Sequence, residues 1–212
     1  MIFIGRHIIN IGCYIERYID LAMESPLNFH RPPEILSKAE IYDPKSNNFP
    51  RQLKLSPDGS RAMVSNENDC VQVWSLPSAI IDARRYYCSA SRGDVDGDVE
   101  SKWTLESSAD VGESIYEVAW YPHMNPGTSA TCCFALSSRG RPIHLYDAFT
   151  QKIRCSYSGI NNLDELDSAL SLTFNPTGDR IFAGANRVIR CFDVAVPGRQ
   201  VSEINTTRRR SD

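Results

Sequence analysis

The sequence predicts an all-β fold assembled from repeated units, on three observations. From about Pro32 onward, short apolar runs are punctuated by Pro, Gly, Asn and Asp, the texture of strands joined by tight turns. Sustained helical periodicity is missing from the same region. One pattern also returns three times: strand, turn, strand, turn, then a third strand ending in an aromatic residue followed by a small polar one.

Taken in order, residues 1–31 stand apart as a lead-in. Their longest uncharged run, Ile8 to Ile15, is followed by Glu16 and Arg17 and is too short to cross a bilayer. A signal peptide needs a longer apolar core and a small-residue cleavage site. The segment is expected to be a short amphipathic helix or a poorly ordered lead-in, and no membrane association is expected.

The repeats occupy 32–200, in units at about 49–87, 114–158 and 159–200. The first contains "RQLKLSPDGSRAMVSNENDCVQVWSL" and the last "SALSLTFNPTGDRIFAGANRVIRCFDV". Aligned, Leu55-Ser56-Pro57-Asp58-Gly59 falls on Phe174-Asn175-Pro176-Thr177-Gly178. Proline presets φ in each turn, and the glycine accepts the left-handed conformation that reverses the chain. In the middle unit the loop His123 to Ser129 replaces that turn, and "KIRCSYSG" follows as a fourth strand. The aromatic strand ends, Trp74, Tyr146-Asp147 and Phe192-Asp193, mark the units.

This layout is that of a WD40-type β-propeller blade. The repeats lie roughly 55–65 residues apart, against about 40–45 for the usual unit, so insertions are implied. The acidic stretch 88–113 is one, expected to be a solvated inter-blade loop. Its Asp94, Asp96 and Asp98 lack the Gly and Glu that a calcium loop needs at positions now held by Val99 and Leu105. Residues 201–212 read as a basic tail ending in Arg208-Arg209-Arg210.

A formal net charge of -3 over 212 residues gives no whole-chain attraction to nucleic acid, so such affinity needs a local patch. The seven cysteines contain no C-x-x-C pair, predicting a reducing compartment, cytosol or nucleus, with thiols packed as small hydrophobes. No phosphate loop, dinucleotide fingerprint or zinc spacing occurs, so no cofactor, metal or small-molecule substrate is expected. The four histidines sit in no catalytic motif. His144, between Ile143 and Leu145, is expected to be packed and hydrogen-bonded. The acid cluster in "GINNLDELDS" (Asp164, Glu165 and Asp167) falls on an inter-blade connection without a nucleophile or metal-ligand set, so it reads as a loop and not as an acid–base pair. No catalytic residue is assigned.

The run "SRGRPIHLYDAFTQKIRCSYSGINNLDELDSALSLTFNPTGDRIFAG", followed by "NRVIRCFDVAVPGR", resembles the telomerase Cajal body protein family. "IYEVAWYPHM" and "FPRQLKLSPDG" also fit, so the resemblance covers about Pro32 to Arg199. It implies a WD40 propeller that is not an enzyme and that binds small Cajal-body RNAs, with telomerase RNA as one candidate, in company with ribonucleoprotein proteins. It implies a nuclear location in Cajal bodies, with the cytoplasm as a second. Arg139, Arg141, Arg187 and Arg199, on turns and a blade exit, are the expected RNA or partner contacts. A general protein-binding WD40 adaptor is the alternative. Family members carry about seven blades, whereas the sequence shows about three, and a closed ring takes roughly 4–8. A truncated form with two open radial faces is the expectation.

Overall fold

The computed structural model describes residues 2–4, 7–9, 38–39, 48–77, 81 and 103–206. Three short strands lie near the start: β1 (Ile2–Ile4), β2 (His7–Ile9) and β3 (Lys38–Ala39). β1 pairs antiparallel with β2 and parallel with β3. Strands occupy 2–4 and 7–9; the expectation of a short amphipathic helix or a poorly ordered lead-in otherwise falls on residues that lie outside the described ones.

The rest forms three successive sheets, each with four antiparallel strands and the second extended by a short fifth, parallel strand, the blades of a partial WD40-type propeller. Blade 1 is β4 (Pro50–Leu55), β5 (Arg61–Asn66), β6 (Cys70–Ser75) and β7 (Thr104–Asp110). Blade 2 is β8 (Ile115–Trp120), β9 (Cys133–Ser138), β10 (Ile143–Asp147) and β11 (Ile153–Ser158). Blade 3 begins with β12 (Ser171–Phe174), β13 (Arg180–Ala185) and β14 (Val188–Asp193). The chain then runs up as β15 (Gly198–Arg199), parallel to the outer strand of blade 2, before β16 (Ser202–Asn205) closes blade 3.

Two outer strands therefore lie where the sequence predicts loop and tail. β7 falls in the acidic stretch 88–113 and β16 in the segment 201–212. Both are edge strands held by backbone pairing to an inner neighbour. Because they bury little, "TLESSAD" and "SEIN" carry no apolar alternation to announce them.

The two aligned turns share one device. Gly59 and Gly178 have φ of 72° and 76°, and each donates its amide back to the first turn residue, Ser56 or Asn175. The side chains of those first residues, Ser56 Oγ and Asn175 Oδ1, accept the amide five positions on, from Arg61 and Arg180, at 3.0 Å. That is why Ser and Asn interchange there.

The aromatic strand ends pack toward the preceding side of each blade. Tyr146 lies in the core shared by blades 1 and 2, with Met63, Val71, Val73, Val118 and Phe134. Its ring stacks on Phe134 at 5.5 Å. Phe192 lies in the core between blades 2 and 3, with Ile143, Tyr157, Leu172 and Ile181. The following Asp closes the turn: Asp147 accepts the amides of Phe149 and Thr150, and Asp193 that of Ala195.

Polar ties complete each interface. Trp120 donates its indole N–H to the Lys54 carbonyl, and the Gln52 amide donates to that of Tyr116. Tyr157, fully buried, donates to the Val194 carbonyl at 2.8 Å. On the outward side of blade 1, Ala62 and Val64 are wholly buried with Leu76 and Trp103. Of the two open radial faces expected, that one is covered at its centre.

Candidate functional site

Alternation of strand direction places second-to-third-strand turns and inter-blade connections on the same end of the blades. In blades 2 and 3 these are the turns around 139–142 and 186–187, and the connection 159–170. Arg139, Arg141 and Arg187 are all exposed at these turns. Among the described residues none of the three enters an ion pair.

The turns are held firmly. The Arg139 amide donates to the Ser114 carbonyl at 2.9 Å, tying the turn to the connection from blade 1. The Gly140 amide donates to Ser168 Oγ at 2.9 Å, tying it to the connection into blade 3. Arg187 sits at φ 63°, and its carbonyl accepts the Thr206 amide. Below this end His144 shares a hydrogen bond with Ser156 Oγ at 2.8 Å, the packed role expected of it. Burial first, and then the positive charge of Arg141, hold its ring below the usual histidine value, so it is neutral at physiological pH.

Arg199 differs. It lies on β15 and pairs with Asp164 at 2.7 Å, both side chains largely in water. The sequence groups it with the other three, but the structure gives it an acidic partner 35 positions away.

The acid cluster is thereby explained. Asn161 Oδ1 accepts the amides of Leu163 and Glu165, closing a tight loop, and Glu165 accepts from the Asn161 amide group. Gln200 clamps Ile160 through both its amide and its carbonyl. Asp164 serves Arg199, and Asp167 serves Arg190 at 2.8 Å. The carboxylates are spent as arginine and amide acceptors.

Arg190 is the residue that sequence reasoning missed. It is 4% exposed, on β14, with Asp167 as its close partner and Glu203 Oε2 at 3.8 Å from Nε. It aligns with His144 of blade 2, so both blades place a nitrogen-bearing side chain one position before the buried aromatic's neighbour. The available signal was an arginine flanked by Ile189 and Cys191 in an apolar strand. Arg141, Gly159, Asp167, Arg190 and Phe192 line a narrow crevice between blades 2 and 3, with room for about one water. It offers no bed for an organic ligand.

At the opposite end Asp147 accepts from Arg154, whose guanidinium also donates to the carbonyls of Ser129, Ala130 and Cys132. Burial by itself would raise the Asp147 pKa, but the Thr150 amide, Arg154 and the Phe149 amide outweigh it and bring it to about 2. Among the described residues no group of three or more His, Cys, Asp or Glu is placed to hold a metal ion.

No protein-family model matches the chain. Telomerase Cajal body protein 1 of Rattus norvegicus is 34% identical over 181 residues, 85% of this chain and 32% of that protein. The Drosophila melanogaster homolog is 37% identical over 146 residues, 68% of this chain and 25% of that protein. The guanine nucleotide-binding protein negative regulator 1 of Schizosaccharomyces pombe is 26% identical over 150 residues, 71% of this chain and 35% of that protein. The chain thus spans about a third or less of the length of the curated relatives it matches. By these matches and by its successive aromatic-ended blades, the chain belongs to the telomerase Cajal body protein family of WD40-type propellers.

Proposed function

We propose that the chain is a non-catalytic scaffold that binds small Cajal-body RNA, telomerase RNA among the candidates, and accompanies the ribonucleoprotein to nuclear Cajal bodies. The observation that carries this reading is the likeness to proteins named for telomerase and the Cajal body. Three arginines on rigid turns at one end of blades 2 and 3, in no ion pair among the described residues, support it physically. Arginine neutralises phosphate and stacks its planar guanidinium on bases. Rigid turns lower the ordering cost of holding such contacts. Arg199 joins the surface only when a phosphate outcompetes Asp164.

Crosslinking followed by sequencing of the bound RNA tests the reading; enrichment of Cajal-body RNAs is the expected outcome. With a single-stranded RNA probe, each phosphate contact contributes a slope of about −0.7 in log affinity against log salt. Arg139, Arg141 and Arg187 together predict a slope of about −2, falling toward zero in the triple Gln variant. A slope unaffected by the three substitutions would overturn the assignment of the site.

A second reading, a WD40 adaptor that binds other proteins and no RNA, is favoured by one observation: the match to a protein named as a negative regulator of a guanine nucleotide-binding protein. An interactome holding proteins and no RNA after crosslinking selects it.

A further inference from the structure

The blades repeat one tip but not its charge. In blade 1 the tip is the turn 67–69 between β5 and β6. The Glu67 amide donates to the carbonyl of Phe49, the residue before β4, at 2.9 Å. Arg139 of blade 2 makes the same bond to Ser114, the residue before β8, also at 2.9 Å. Asp69 lies at φ 60°, and its carbonyl accepts the amide of Val111, the residue after β7, at 2.9 Å. Arg187 of blade 3 lies at φ 63° and accepts from Thr206, the residue after β16, at 2.9 Å. Two backbone positions are thus shared between tips, and each holds an acid on blade 1 where a later blade holds an arginine. The surroundings carry the same sign. Asp110, at the end of β7, and Glu113, on the connection to blade 2, stand at this end of blade 1. Among the described residues Asp69, Asp110 and Glu113 enter no ion pair. Glu67 pairs with Arg51 at 3.3 Å, the two side chains 46% and 40% exposed, and such a pair is weak in water.

We infer that Glu67 and Asp69 set the boundary of the RNA track: a single strand crosses the tips of blades 2 and 3 and is turned away from the tip of blade 1. The boundary rests on the proposed reading of Arg139, Arg141 and Arg187 as phosphate contacts. Neighbouring sheets lie about 10 Å apart, and the screening length at physiological salt is about 8 Å. A phosphate over blade 1 therefore meets like charge at close range, whereas one over blade 2 is largely screened from it.

Repulsion from a wrong placement contributes to specificity as attraction to the right one does. Here it makes the track one-sided. A strand that could slide equally over all three tips is instead confined to two, so the acids fix where along the blades the RNA lies while contributing no contact of their own.

A charge graft tests this in the full chain. Glu67→Arg/Asp69→Arg copies onto blade 1 the residue type that blades 2 and 3 carry at the equivalent positions, and Arg187 already occupies the left-handed one. The probe is a single-stranded oligouridine long enough to cross all three tips. The wild type should give a slope of about −2 in log affinity against log salt, and the graft about −3.5, two further contacts of about 0.7 each. Affinity should rise about 5-fold for each added contact at about 0.1 M salt. A second readout needs no variant: photocrosslinks from 4-thiouridine in the same probe should map, in the wild type, to the peptides holding 139–141 and 187 and not to 67–69. Wild-type crosslinks at 67–69, or a graft with unchanged far-ultraviolet circular dichroism whose slope stays near that of the wild type, would overturn the boundary while leaving the arginine contacts standing. A slope insensitive to the triple Gln variant, or no binding by the wild type, would overturn those contacts and the boundary with them.

Discussion

Replacing Gly178 with alanine separates two costs that usually arrive together, because Gly140 supplies the control. Both glycines are left-handed, at φ 76° and 64°. A Cβ on Gly140 would meet nothing within 4 Å, whereas one on Gly178 would lie 2.7 to 2.8 Å from three atoms of the Tyr121 side chain. The backbone strain of an L-residue in this region is about 1 kcal/mol, less about 0.5 kcal/mol for the loss of unfolded-state freedom. Gly140→Ala should therefore cost under about 1 kcal/mol. For Gly178 the Tyr121 ring must also retreat several tenths of an ångström. That ring sits edge-on to Phe174 at 5.7 Å and to His123 at 5.9 Å, contacts worth about 1 kcal/mol together. The expected cost is then about 1.5 kcal/mol, a shift of roughly 1 M in the urea midpoint.

Urea unfolding of Gly140→Ala, Gly178→Ala, Tyr121→Ala and the double variant Tyr121→Ala/Gly178→Ala measures this. In the Tyr121→Ala background the Gly178 substitution should fall to the cost of the Gly140 one, giving a coupling of about 1 kcal/mol. Equal costs for the two glycines in the wild-type background would refute the reasoning: the turn would then matter for its dihedral alone, and the ring would contribute nothing to seating blade 3 on blade 2.

Asp147 has its folded pKa lowered to about 2 from 3.8, so its charged form is favoured by folding. Its stabilisation is present above about pH 4 and lost as pH falls toward 2, and Asp147→Asn should flatten the urea midpoint over that window. Burial pushes the Cys133 thiol up to about 11, so iodoacetamide at pH 8 should leave it unmodified in the native protein and label it only in urea. Asp167→Asn leaves Arg190 nine-tenths buried with only Glu203 at 3.8 Å, a loss of about 3 kcal/mol. Arg190→Met removes that charge and should cost less than Asp167→Asn, as compared by thermal unfolding.

How much of this was legible in the sequence depends on what each residue has to bury. The turns "SPDG" and "NPTG", the aromatic strand ends and the inner strands carry their signal locally, because φ preference and alternation act within a few positions. β7 and β16 do not: an edge strand with one partner needs no apolar side, so Glu106 and Glu203 are acceptable in it and composition resembles loop. The buried pair is hidden for another reason. Arg190 and Asp167 are 23 positions apart, and only the docking of the 159–170 connection onto blade 3 brings them together. Arg199 and Asp164 are likewise joined by the fold alone.

The four arginines singled out by their position on turns show how neighbours divide a single residue type. Arg187, Arg139 and Arg141 keep their charge directed outward because the turns that carry them bring no carboxylate within ion-pair distance. Arg199 lies where β15 runs beside the acidic loop, and Asp164 at φ 60° turns its carboxylate toward it. The loop that looked like an acid cluster thus has an electrostatic consequence for the surface beside it. It neutralises the arginine at the rim and, through Asp167, the one inside the crevice, whereas the turn-tip arginines enter no ion pair among the described residues. Exposed pairs such as Arg199–Asp164 are worth little in water, so the pair is a small barrier to an anionic partner. The loop that spends its acids on Arg199 and Arg190 therefore leaves Arg139, Arg141 and Arg187, among the described residues at this end, without an ion pair.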